Sequence, residues 1–246
     1  MRHPLVSITA ALAATACAAC GGAAAPAGAR PLPTGSEPVT LDPAEFTTRI
    51  DNPYLPLRPG SRWVYRETAP GAVPQRVVVT VTRQTATIAG ITARVVRDVA
   101  TERGRVVEST RDWYAQDREG NVWYLGEATT EYGPGRAPST AGSWRTGVGG
   151  AQAGIAMPAR PRAGLAYRQE YLAGEAEDRA QVVSSREQAQ VPAGHYAPAL
   201  LTRETTPLTP RSLEYKLYAK GVGVVLALGV SGSSSREELV SFRPGR

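Results

Sequence analysis

A chain of 246 residues has room for one sizeable core, but its two cysteines fall at positions 17 and 20, so the body has no disulfide framework and no thiolate chemistry. Against 22 Asp and Glu stand 28 Lys and Arg, a formal charge of +6. The basic residues are nearly all arginines scattered singly among acids, with Lys216 and Lys220 the only lysines. That dispersion excludes the concentrated basic patch of a nucleic-acid face, and no nucleic-acid partner is expected.

The first elements are read as an address. Residues 1–19 carry Arg2, then an apolar run from Leu5 to Ala16 and small residues, the pattern of an export signal too short to span a bilayer stably. The run ends in Cys17 and Cys20, and Cys20 is followed by Gly21-Gly22. This resembles the lipobox of bacterial lipoproteins, which implies lipidation at Cys20, with Cys17 the alternative and an unlipidated signal peptide the plainer reading. The expected localisation is extracytoplasmic, anchored to the cell membrane through that cysteine. Residues 20–41 are rich in Ala, Pro and Gly without apolar periodicity and read as a flexible tether. Residues 42–246 form a single β domain.

That domain opens on DPAEFTTRI, where Asp42 caps and Pro43 starts a short helical turn. From residue 62 onward short runs rich in β-branched and aromatic residues alternate with Gly, Pro and Asn/Asp turns. The predicted fold is all-β: a single curved antiparallel sheet, half-barrel or barrel of about 10–12 strands. Residues about 58–126 and 161–230 look like two copies. Gly60/Gly164, Trp63/Tyr167, Gly90/Gly194 and Tyr114/Tyr218 are all spaced by 104, which suggests an internal pseudo-twofold duplication. The Gly-rich connection 128–160, with Trp144, Ile155 and Met157 as apolar handles, is expected to lie as a flap over the concave side.

The stretch WYAQDREGNVWYLGE, residues 113–127, reads as a hairpin turning at Asp117–Gly120. In that register Trp113, Ala115, Trp123 and Leu125 share one face; Tyr114, Gln116, Val122 and Tyr124 share the other. Asp117 and Glu119 lack the alternate-position carboxylates of a calcium loop, so no metal is expected. Apart from His3 in the signal, His195 is the sole histidine, placed in a turn. No nucleophile elbow, P-loop or dinucleotide fingerprint occurs, so no catalytic residue and no cofactor is assigned. One acidic cluster remains. Glu170, Glu175, Glu177 and Asp178 surround the turn at Gly174, either as a solvated hairpin tip or as the acid/base pair of a glycosidase-like hydrolase acting on envelope polysaccharide.

IDNPYLPLRPGSRWVY, DWYAQDREGNVWYLGE, the GSW to MPARP run over 142–161, YRQEYLAGEAED and YAKGVGVV together resemble a family of secreted bacterial β-rich proteins. The resemblance covers nearly residues 42–242, implies an envelope protein of β type and carries over no catalytic residue. More distantly, VPAG followed by YAKGVGV is similar to curved-sheet periplasmic lipoprotein carriers, an analogy of fold alone. The reading that follows is a non-enzymatic lipid-anchored protein. It holds an apolar or amphipathic ligand, or an envelope partner protein, on aromatic side chains, with Tyr114, Tyr124, Trp144, Met157 and Tyr167 as candidate ligand-binding residues. The hydrolase is the first alternative, a structural or assembly lipoprotein the second.

Overall fold

The computed structural model describes residues 31–245 except 134 and 136. The signal, Cys17 and Cys20 lie outside the described residues. Asp42 caps a single turn of 3-10 helix, Pro43–Glu45, accepting from the Ala44 N–H as its sequence predicts. Everything else regular is strand: β1 Phe46–Thr47, β2 Arg62–Thr68, β3 Gln75–Ile88, β4 Ile91–Glu102, β5 Arg105–Asp117, β6 Val122–Glu131, β7 Trp144–Arg145 and β8 Gln152–Met157. There follow β9 Ala166–Arg168, β10 Glu170–Tyr171, β11 Arg179–Val191, β12 Gly194–Thr205, β13 Leu213–Ala219, β14 Gly223–Ser231 and β15 Arg236–Arg243.

These strands make one antiparallel sheet in the order β10-β8-β6-β5-β4-β3-β2-β15-β14-β13-β12-β11-β9, with β1 and β7 paired beside that path. The two ends of the path, β9 and β10, are consecutive in the chain and separated only by Gln169. The sheet therefore curls round until its edges meet at one kinked segment, and it is all but closed into a barrel. Closure removes exposed edges, which a sheet this wide would otherwise leave open to other chains.

Pairs spaced 104 apart occupy matching places. The Gly60 N–H donates to Val81 O before β2, and the Gly164 N–H donates to Val182 O before β9. Gly90 and Gly194 stand at the β3–β4 and β11–β12 turns, and Tyr114 and Tyr218 on β5 and β13. Residues 128–160 depart from the expected flap. Residues up to Glu131 continue β6, β7 pairs with β6 at Gly126 and Glu127, and β8 pairs with β6 at Val122–Tyr124. The small side chains of Ala153 and Gly154 let β8 lie close enough to join the sheet, so the connection builds wall rather than cover.

One end of the barrel is plugged. Residues 42–61 cross the hairpin turns there: Pro43 packs on Gly90, Asn52 Nδ2 donates to Gly120 O and to Pro158 O, and Pro53 O accepts from the Gly221 N–H. Gln116 Oε1 accepts from the Asp51 and Asn52 N–H groups, and Ile50, Tyr54 and Leu57 are buried beneath them. The same core cluster takes in Trp63, Val81, Trp123, Ile155 and Met157. Each such side chain contributes roughly 1.5–3 kcal/mol by leaving water.

The seam has its own fastening. Arg168 is only 1% exposed. Its Nε and Nη2 donate to Ala153 O on β8 at 3.1 and 2.9 Å, and its Nη1 donates to Gly35 O and Glu37 O at 2.6 and 2.7 Å. Its backbone N–H donates to Pro33 O at 2.7 Å. Residues 31–41, expected as part of a free tether, instead lie along the seam as a strap, and Leu32, Val39 and Leu41 pack against the core.

Gly154 shows how tight the seam is, since a Cβ there would sit 2.3 Å from the carbonyl group of Gln169. Gly154→Ala is expected to force β8 away from 168–169 and to cost about 1–3 kcal/mol, the ordinary range for overpacking. Urea unfolding measures this; a variant as stable as the parent would contradict so close an approach.

Candidate functional site

Registers across the sheet place one face of every long strand inside the barrel. On β5 that face carries Glu108, Thr110, Asp112 and Tyr114, and opposite them on β6 stand Glu131, Thr129, Glu127 and Tyr124. On β12 and β13 it carries Thr202 and Glu204 beside Lys216 and Glu214, and on β2 and β15 Glu67 beside Glu237. Toward the end away from the plug, the lumen is walled by carboxylates. Most stay partly accessible to water, while Asp112 and Glu204 are buried.

Within this lumen lies a cavity of about 350 Å³. Tyr114, Tyr124 and Tyr218 give it aromatic walls, and Leu55, Ala156 and Val224 an apolar portion. Its ionisable lining is Glu127, Glu170, Asp178, Glu204 and Lys216. Tyr114 and Tyr124 stack with centroids 4.9 Å apart, and Trp144 meets Tyr124 edge-on at 5.3 Å from behind. Trp144 Nε1 donates to Glu170 Oε2 at 2.8 Å, and Tyr124 Oη donates to Asp112 Oδ1 at 2.8 Å. Tyr124 and Trp144 are thus held by their polar ends, and Tyr114 and Tyr124 border the cavity as a stacked pair.

The charges do not balance. Lys216 Nζ lies 2.7 Å from Glu204 and 3.1 Å from Glu214, and Tyr218 Oη and Thr202 Oγ1 also donate to Glu204. Burial by itself would depress the Lys216 ammonium, but those two carboxylates hold it well above its ordinary value. That cation is used up. Among the described residues, Glu127, Glu170, Asp178 and Asp112 have no cationic partner within ion-pair distance. Burial, then the neighbouring Asp178 and Glu127, push Glu170 up to about 8. Burial, then Asp98 and Glu67, do the same to Glu237, up to about 8. Asp98 rises to about 6 through burial and Glu108, and Asp112 is raised well above the carboxylate range by burial.

The structure brings together only part of the expected site. Tyr114 and Tyr124 share one face with Gln116 and Val122, as the hairpin reading expects, and line the cavity. Trp144 supports them from the second row. Met157 is fully buried in the core against β6 and does not reach the cavity, because Val122 pairs with it at the plugged end. Tyr167 is 1% exposed, and its hydroxyl has no protein partner. It faces inward through its pairing with Ala180, which pairs in turn with Glu204. Of the acidic cluster, Glu170 and Asp178 reach the cavity; Glu175 is exposed, and Glu177 accepts from the Gly174 N–H at the turn. Asp117 serves its hairpin: its carboxylate accepts from the Asn121 N–H, Asn121 Nδ2 and Trp123 Nε1 at 2.8–2.9 Å.

Glu127, Glu204, Lys216 and Tyr218 are not among the site residues expected from the sequence, though they line the cavity. Their one signal is the alternation Glu214, Lys216, Tyr218 in LEYKLYA, which puts polar groups on a single face of a strand.

No family model and no curated protein matches the chain. Among solved structures it is similar to a candidate lipoprotein from Parabacteroides distasonis, known from a crystal structure at 2.70 Å. The two share 12% identity and a TM-score of 0.40 over 77% of this chain and 98% of that one, a likeness too loose to carry anything across.

Raised carboxyls bind their protons more tightly in the folded than in the unfolded state. Their contribution to stability is full below the ordinary value of 4.5 and is lost as pH climbs through about 8. The melting temperature should therefore fall between about pH 5 and about pH 8.5, and Glu237→Gln should lessen that fall while changing little at about pH 5. A stability that rises across this interval would contradict an uncompensated acidic lumen.

Proposed function

We propose that the chain is an exported, lipid-anchored envelope protein, tied at Cys20, whose barrel binds an organic cation with an apolar portion. The ammonium would sit among Glu127, Glu170 and Asp178, and the apolar part would lie against the stacked Tyr114–Tyr124 pair. One observation carries this reading: among the described residues, the one cation that lines the cavity is already paired, and the remaining carboxylates are not. A bound cation supplies the missing charge, and ring faces favour cations over anions. The amphipathic ligand expected from the sequence is thereby narrowed to a cationic one. A purely apolar molecule would leave the carboxylates uncompensated and without water.

The position of Glu170 favours a second reading, a carboxylate-dependent hydrolase. It is a carboxyl raised to about 8 in a cavity shared with Asp178, as a general acid beside a base would be.

Calorimetry with phenethylammonium, hexylammonium, hexanol and hexanoate separates the readings. The two ammonium ions should bind, the alcohol and carboxylate should not, and a Glu127→Gln/Glu170→Gln variant should lose about tenfold or more in affinity. At neutral pH binding should release protons, seen as heats that vary with the buffer, because a nearby cation favours ionised carboxylates. Equal binding of hexanol or hexanoate would overturn the proposal. Release of reducing ends from envelope polysaccharide, abolished by Glu170→Gln, would instead establish the hydrolase.

A further inference from the structure

Arg168, Gln169 and Glu170 are consecutive. Arg168 is gripped by the strap, Gln169 and Glu170 line the cavity, and Glu170 pairs across to Ala153 on β8. Closure here rests on little pairing. β9 meets β11 over three residues and β10 meets β8 over two, whereas β3 and β4 or β11 and β12 pair along nearly their whole lengths. Besides that pairing, and the Gln169 and Glu170 N–H groups that donate to Asp178 O, the junction is tied by one guanidinium with acceptors on both sides: Ala153 O of the wall, and Gly35 O and Glu37 O of the strap.

The strap holds its shape by itself. The Glu37 carboxylate accepts from the Thr34 and Gly35 N–H groups, folding residues 34–37 into a turn that aims both carbonyls at Arg168 Nη1. Glu37 also helps keep the buried guanidinium charged, against the burial that lowers its pKa. Farther along, the Val39 N–H donates to Gln152 Oε1 on β8, so the strap touches both sides of the junction.

We infer that residues 33–39 are a latch: they hold the barrel seam shut through Arg168 and so fix Gln169 and Glu170 in the cavity wall. Lifting the strap removes two of the acceptors of a buried cation. The guanidinium must then follow the strap or be hydrated where it lies, and either frees the 168–170 segment from β8. The barrel gains a lateral opening beside Glu170. The strap is the latter part of the 20–41 segment expected from the sequence as a tether. The proposed ligand site is thus coupled to whatever displaces the strap. The latch concerns the same cavity, but it does not need the proposed ligand to be correct.

The test uses the full chain with Glu37→Ala, an exposed substitution outside the barrel wall that loosens the 34–37 turn. Hydrogen exchange monitored by mass spectrometry should show peptides over 31–40 and 166–172 exchanging about tenfold or more faster together, with β3 and β4 unchanged. Gln152→Ala, on the other side of the junction, should give the same pattern in smaller degree. Phenethylammonium, if bound by the parent, should bind Glu37→Ala about three- to tenfold more weakly, mainly through faster dissociation. Faster exchange confined to 31–40, with 166–172 as protected as in the parent, would overturn the latch. If phenethylammonium does not bind the parent, the cation proposal fails, and the exchange measurement alone still decides the latch.

Discussion

A single guanidinium ties strap to wall where the edges of this sheet meet. Arg168 is fully buried, has no carboxylate within ion-pair distance among the described residues, and is satisfied by main-chain carbonyls of two segments, the strap and β8. Its planar fork suits that task, because donors at fixed angles reach several acceptors at once. Desolvating such a group is costly, so the arrangement persists only while every acceptor stays in place. Strap, β8 and the 168–171 kink are thereby bound to one another, and the cavity wall takes its shape from their agreement.

The rest of the molecule divides the work of stability and of recognition between its two ends. The plugged end is apolar, closed over by 42–61, and gathers the Trp63, Trp123 and Ile155 core. The other end collects like charges, which oppose folding and raise one another's pKa. A fold that tolerates such a cluster draws its stability from elsewhere, and clusters of this kind are where binding and chemistry are usually found. The pairing of Lys216 with Glu204 and Glu214 serves only one side of the lumen and leaves the Glu127–Glu170 side without a cation among the described residues.

Much of this was legible in the residues. The hairpin at Asp117–Gly120, the faces of Tyr114 and Tyr124, the capped turn at Asp42 and the all-β architecture follow from turn chemistry and period-two patterning. Closure did not follow, because β9 and β10 are too short to show alternation and Arg168 looks like any surface arginine in sequence. The 128–160 segment misled for a related reason. Its glycines suggest a loop, yet Gly154 is there because only hydrogen fits against Gln169. Met157 misled as well: a methionine near aromatic strands reads as a ligand contact, but its strand register sends it into the core. Glu204 and Lys216 were hidden because they sit on different strands, and an ion pair formed across a register leaves no mark in either strand alone.

The most direct measurement is equilibrium unfolding of Arg168→Lys. Lysine keeps the charge but not the fork, so it cannot serve Ala153, Gly35 and Glu37 together. Loss of charged hydrogen bonds of this kind predicts a drop of about 2–5 kcal/mol, with the unfolding midpoint falling to match. A lysine variant as stable as the parent would show that the seam closes without the arginine, and the account built on it would not stand.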